Sequence, residues 1–130
     1  MVHAPIGVVR NSHNRDIGET GENIAAQFLL SRNYTILARN VRYVAGELDL
    51  IAQSPTGAIV FVEVKARTSS NYGNAEAVSP SKLRKMRRSA ALWLRDKPWT
   101  DVRFDVIAIT LNRTTTHEID WYQGVDSGAC

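Results

Sequence analysis

Apolar and polar positions follow two different periods along this chain. Ile17, Ile24, Ala25, Phe28 and Leu29 recur at helical spacing, and with Asp16 as a cap they predict a helix over residues 17–32. Asn33 fits a helix stop, and residues 34–40 (YTILARN) read as a first strand. Residues 47–52 and 58–65 are apolar and β-branched runs separated by Ser54-Pro55-Thr56-Gly57, a turn signal, so together they predict a hairpin. Ser79-Pro80-Ser81 opens a second helix, with Leu83, Met86, Ala90, Trp93 and Leu94 as its buried stripe. Residues 102–111 (VRFDVIAITL) predict a further buried strand, and residues 117–122 (HEIDWY) a weakly alternating edge strand. The predicted fold class is α/β, in the order α-β-β-β-α-β-β.

Length assigns these elements to one domain over residues 16–123, with residues 1–15 as a frayed leader and residues 124–130 as a tail. No apolar run approaches the roughly 20 residues of a membrane helix, and the N-terminal run is too short for a signal peptide. The only cysteine is the last residue, Cys130, which excludes a disulfide framework and a thiolate metal site and fits a reducing, cytoplasmic setting. His3, His13 and His117 have no metal-ligand spacing. There is no phosphate-cradling glycine loop, no GxSxG elbow and no Cys/His pair, which removes the common nucleotide-binding and nucleophilic readings.

Acids interrupt the hairpin where apolar residues belong. Glu47 and Asp49 break the first strand, while Glu63 and Lys65, two residues apart on the second, share a face. A three-residue loop closed by Gly57 in the left-handed conformation pairs Ser54 with Ala58, and counting back sets Asp49 opposite Glu63. Facing carboxylates repel, so the pair calls for a compensating cation. Lys65 supplies one charge, and a hard divalent ion with oxygen ligands would supply the rest, so the hairpin reads as a Mg²⁺-type site. The alternative is a solvated outer face with Lys65 bridging the acids. Glu22, on the edge of the first helix's stripe, could reach toward the same sheet, or it could be a first-turn acid favoured by the helix dipole. Asp105 could join the acids, but an ion pair with Arg103 on its own strand is simpler.

The formal charge of +3 says little, whereas its clustering says more. Lys82, Arg84, Lys85, Arg87, Arg88 and Arg95 crowd the second helix with no acid before Asp96, a pattern that favours a polyanionic partner over a merely solvated face. Arg39, Arg42 and Tyr43 could be an exposed edge or a phosphate-facing rim. The polar stretch over residues 68–79, containing SSNYGN, is the candidate mobile segment beside the site.

Taken as a set, several motifs make the sequence resemble the restriction-endonuclease-like, or PD-(D/E)xK, nuclease superfamily. They are Gly21-Glu22, Arg39-Asn40, GELDLIA over residues 46–52, VFVEVKAR over residues 60–67, Tyr72-Gly73, Trp93-Leu94 and RFDVIAI over residues 103–109. More closely, it resembles the YraN-like family of uncharacterised bacterial proteins, itself similar to archaeal Holliday junction resolvases. Leu48 stands where the superfamily has a proline before its active-site acid. The resemblance implies a restriction-endonuclease-like fold, a central mixed sheet with a hairpin-borne active site. It implies Asp49, Glu63 and the Val64 carbonyl as ligands of Mg²⁺ or Mn²⁺, Lys65 as the lysine, and Glu22 as the helix-borne acid.

The expected activity is metal-dependent phosphodiester hydrolysis. Arg67, Tyr72, Lys82, Arg84, Lys85 and Arg88 would grip the nucleic-acid backbone, with DNA favoured over RNA as partner. Nothing resembles a base-reading element, so branched or flapped DNA is a better substrate than a defined sequence. Two rival readings remain. One is a non-catalytic nucleic-acid-binding protein on a nuclease fold. The other joins the acids and the basic helix as two halves of a homodimer contact.

Overall fold

The computed structural model describes residues 6–68, 78–114 and 116–126, with residues 6–15 as helical backbone only. Seven elements follow in order: α1 (Ile6–Ser31), β1 (Thr35–Tyr43), β2 (Gly46–Gln53), β3 (Ile59–Thr68), α2 (Pro80–Leu94), β4 (Val102–Leu111) and β5 (His117–Tyr122). The predicted α/β order is therefore observed. The hairpin closes as its sequence predicts, with Ser54 N–H donating to the Ala58 carbonyl and Gly57 N–H to the Ser54 carbonyl, both at 2.9 Å. Gly57 has φ 100°, the left-handed backbone that a three-residue loop demands and glycine adopts without steric cost.

The sheet order is β1-β2-β3-β4-β5, antiparallel throughout except for the parallel β3–β4 pair. A parallel pair needs a long crossover, and α2 lies in it. Strand alternation divides the core in two. Val60 and Val62 of β3 join Ala25, Ala26 and Leu29 of α1 on one face, whereas Ile59 and Phe61 join Leu83, Met86 and Ala90 of α2 on the other. The molecule is thus a sheet between two helices, and residues Glu63, Lys65 and Arg67 continue the α2 side of β3. Among the described residues, no helix is long and apolar enough to cross a membrane.

Ser79 caps α2 as expected, its Oγ accepting from Lys82 N–H at 3.0 Å, and Pro80 opens the first turn. The start of α1 departs from expectation. The helix begins at Ile6, so Asp16 lies exposed inside it and does not cap it. No proline stands between Ile6 and Asp16, so nothing obliges the helix to wait for Asp16.

Two irregularities in β1 shape what comes next. The β1–β2 register shifts between Ile36 and Ala38, and Asn40 has φ 53°, a left-handed conformation that asparagine tolerates better than most residues. Across from Asn40, between the pairs Arg39↔Leu50 and Val41↔Leu48, lies Asp49. Leu50 packs on the α1 side and Leu48 on the α2 side, although residues two apart on a regular strand share a face. The pair of strands therefore turns over at Asn40 and Asp49.

Candidate functional site

That turn sends the Asp49 carboxylate into the seam between β2 and β3. The β2–β3 pairs run from Gln53↔Ile59 to Leu50↔Val62, one step short of Asp49 and Glu63, and Asp49 Oδ2 then accepts from Val64 N–H at 2.9 Å. A side chain thus takes a backbone donor on the strand that carries Glu63 and Lys65. The expected register holds, and Asp49 and Glu63 come together where the strands part.

The two carboxylates interact electrostatically. Burial, then repulsion from Glu63, pushes Asp49 up from its ordinary 3.8 to about 7 against the opposing pull of the Val64 N–H; Glu22 and Glu47 add to the push. Glu63 is buried, with Lys65 Nζ 3.6 Å from Oε2 and Lys82 Nζ 3.6 Å from Oε1. Both separations are ion pairs rather than hydrogen bonds, and Oε1 has no hydrogen-bond partner among the described residues. A buried carboxylate oxygen in this state retains capacity for another electropositive ligand.

Glu22 approaches from the α1 side. Gly21 makes this possible, because a Cβ there would sit 2.5 Å from Ala66 Cβ, and only a bare backbone lets α1 come so close to β3. Arg39 Nη2 lies 3.9 Å from Glu22 Oε1 and donates to Asn23 Oδ1 at 2.7 Å, and Asn40, like Arg39, favours the ionised form of Glu22. Burial raises Glu22's proton affinity in spite of these partners. Arg39 and Asn40 therefore position an acid, a role their sequence left open. The signal was an asparagine inside a strand, a residue suited to positive φ.

The other expected residues divide clearly. Arg84, Lys85 and Arg88 are exposed along α2, as are Arg87 and Arg95. Lys82, assigned to the same basic face, turns toward Glu63. Arg67 is buried and its Nε–H donates to Thr110 Oγ1 at 3.3 Å, so its guanidinium does not stand on a nucleic-acid rim. Tyr72 and most of the loop expected to be mobile lie outside the described residues. Asp105 stays with the simpler account: fully buried, it accepts two bonds from Arg103 at 2.9 Å, one from Trp121 Nε1–H at 2.9 Å and one from Gly124 N–H at 3.0 Å.

Among the described residues, no three Asp, Glu, His or Cys side chains converge on one point. A cation here would rest on Asp49 and Glu63, completed by backbone and solvent oxygens, which suits a hard oxygen-seeking ion better than a zinc-like one. The crowded acids, the orphaned Glu63 oxygen and the all-oxygen donor set fit such an ion.

A family model described as Uncharacterised protein family UPF0102 matches residues 21–109. The chain is 46% identical over 119 residues to a UPF0102 protein of Corynebacterium diphtheriae, covering 92% of this chain and 98% of that one. It is 51% identical over 114 residues to a UPF0102 protein of Corynebacterium glutamicum, covering 87% and 93%. With a UPF0102 protein of a Mycobacterium species it shares 49% identity over 113 residues, 84% of each chain. The matched span starts at Gly21 and ends at Ile109, so every carboxylate and lysine just described lies inside it.

Proposed function

This chain belongs to the uncharacterised protein family UPF0102, and from its own residues we propose that it is a metal-dependent nuclease that hydrolyses phosphodiester bonds. Membership bears out the YraN-like part of the resemblance, while kinship with the PD-(D/E)xK nucleases belongs to this proposal. The observation that carries it is the junction of Asp49 and Glu63 beside Lys65, with Asp49 pushed up to about 7. A fold gains no stability from holding a buried carboxylate against a half-buried one, so their presence calls for a ligand that rewards them.

Mg²⁺ or Mn²⁺ held by Asp49, Glu63 and the Val64 carbonyl would supply Lewis acidity and a nucleophile at neutral pH. The residues do the positioning. Val64 N–H fixes Asp49 in the seam. Lys65, beside Glu63, offsets negative charge that builds on the scissile phosphate. Glu22, steadied by Arg39 and Asn40, presents a third acid from the opposite side of the sheet. Arg84, Lys85 and Arg88 project from α2 to hold the backbone of DNA, in preference to RNA, without reading its bases, which suits branched or flapped substrates.

The test is incubation of wild type and Glu63→Gln with Mg²⁺ or Mn²⁺ and labelled four-way, flapped and single-stranded DNA. Wild type should cleave at least one branched form, and Glu63→Gln should bind it equally but leave it intact. Equal cleavage by both proteins would refute the assignment of the site.

A further inference from the structure

Glu63 is flanked by ammonium groups from two separate elements. Lys65 comes from its own strand, while Lys82 comes from the first turn of α2, three residues after the Ser79 cap. Lys82 is about one-third exposed, at 36%, against 7% for Glu63, so its flexible stem has room to leave. It stands 3.6 Å from Oε1, the oxygen that is buried and has no hydrogen bond among the described residues. Lys82 therefore balances the charge of that oxygen without saturating it, and it occupies the side of Glu63 that an incoming cation would need.

We propose that Lys82 is a resident counter-ion of Glu63, which yields to the divalent cation and moves to a phosphate of the nucleic acid, so that cation and substrate bind cooperatively. The inference rests on the nuclease reading but makes a claim of its own. An ammonium and a divalent ion at one carboxylate repel, so the free protein binds the ion at a penalty. A phosphate gives the displaced Lys82 a new partner close to the α2 N-terminus, whose partial positive charge also favours an anion. Linkage then requires the substrate to tighten ion binding by the same factor as the ion tightens substrate binding.

The experiment is calorimetric titration of Mn²⁺ into wild type, Lys82→Met and Lys82→Arg, first alone and then with deoxythymidine bisphosphate, which carries phosphates but no scissile diester. Alone, Lys82→Met should bind Mn²⁺ about tenfold more tightly than wild type, the order expected for one charge a few ångströms from a divalent ion in a partly solvated site. Lys82→Arg, which keeps the charge, should match wild type. The bisphosphate should tighten Mn²⁺ binding to wild type several-fold and to Lys82→Met much less. Equal or weaker Mn²⁺ affinity in Lys82→Met overturns the counter-ion role and leaves the metal site standing. An equal bisphosphate effect in both overturns the coupling. No Mn²⁺ binding by any of the three, all folded by circular dichroism, overturns the metal-dependent reading and this inference with it.

Discussion

Replacing Asp49 by Asn should make the metal-free protein more stable, and increasingly so as the pH rises. Asn keeps the shape and offers an amide oxygen to Val64 N–H, which Asp49 Oδ2 now meets at 2.9 Å. What it removes is a charge that burial and Glu63 disfavour. A carboxyl whose folded value lies above its unfolded one favours folding while protonated. For Asp49 that contribution is complete below 3.8 and is lost as the pH climbs to about 7. The interval from 3.8 to about 7 corresponds to a ceiling of about 4 kcal/mol. Roughly one-third of the loss has developed by about pH 5 and nearly all of it by about pH 8. The advantage of Asp49→Asn should therefore grow by about 3 kcal/mol between those conditions, or roughly 10 °C in Tm for a domain of this size.

The assay is urea and thermal unfolding of both proteins at the two pH values, in chelator. Adding Mn²⁺ should reverse the ranking at the higher pH, because only wild type gains a bound ion. An advantage that is the same at both pH values would refute the claim that Asp49 and Glu63 share one buried site.

Three further outcomes follow from the packing and the charges. Gly21→Ala should cost about 1–3 kcal/mol by urea unfolding, since its methyl meets Ala66 Cβ at 2.5 Å; an unchanged midpoint would show that α1 does not lie so close to β3. Asp105→Ala should cost about 3–5 kcal/mol by stranding Arg103 and two further donors, while the folded protein keeps its Mn²⁺ affinity; weakened Mn²⁺ binding would put Asp105 in the site after all. Lys85→Glu combined with Arg88→Glu should weaken DNA binding alike across sequences and flatten its salt dependence, read by fluorescence anisotropy over a salt series. An unaltered slope would move the binding face off α2.

The parts of this molecule legible in the sequence are those fixed by local rules. The length of the Ser54–Ala58 loop sets the register of β2 against β3, and with it the meeting of Asp49 and Glu63. The stripe of Leu83, Met86 and Ala90 sets which side of α2 is buried, and so which residues face solvent. What stayed hidden depends on how elements dock. No spacing within α2 tells that its first turn ends beside β3, so Lys82 looked like one more basic residue of the exposed face. Arg67 follows the same alternation as Glu63 and Lys65, but only the position of Thr110 on β4 shows that it is drawn inward. The early start of α1 was obscured because Asp16 satisfies a cap rule that the helix has no need to obey.

The kink at Asn40 has a second consequence, for solubility. β1 is an outer strand of the sheet, and a flat outer strand exposes a row of unused donors and acceptors that another copy of the chain can extend. The register shift between Ile36 and Ala38 and the left-handed Asn40 interrupt that row twice within five residues. The bend that sends Asp49 into the seam also spoils the edge as a template for aggregation. Straightening β1 at Asn40 would loosen the acidic site and lay open a surface on which chains could stack.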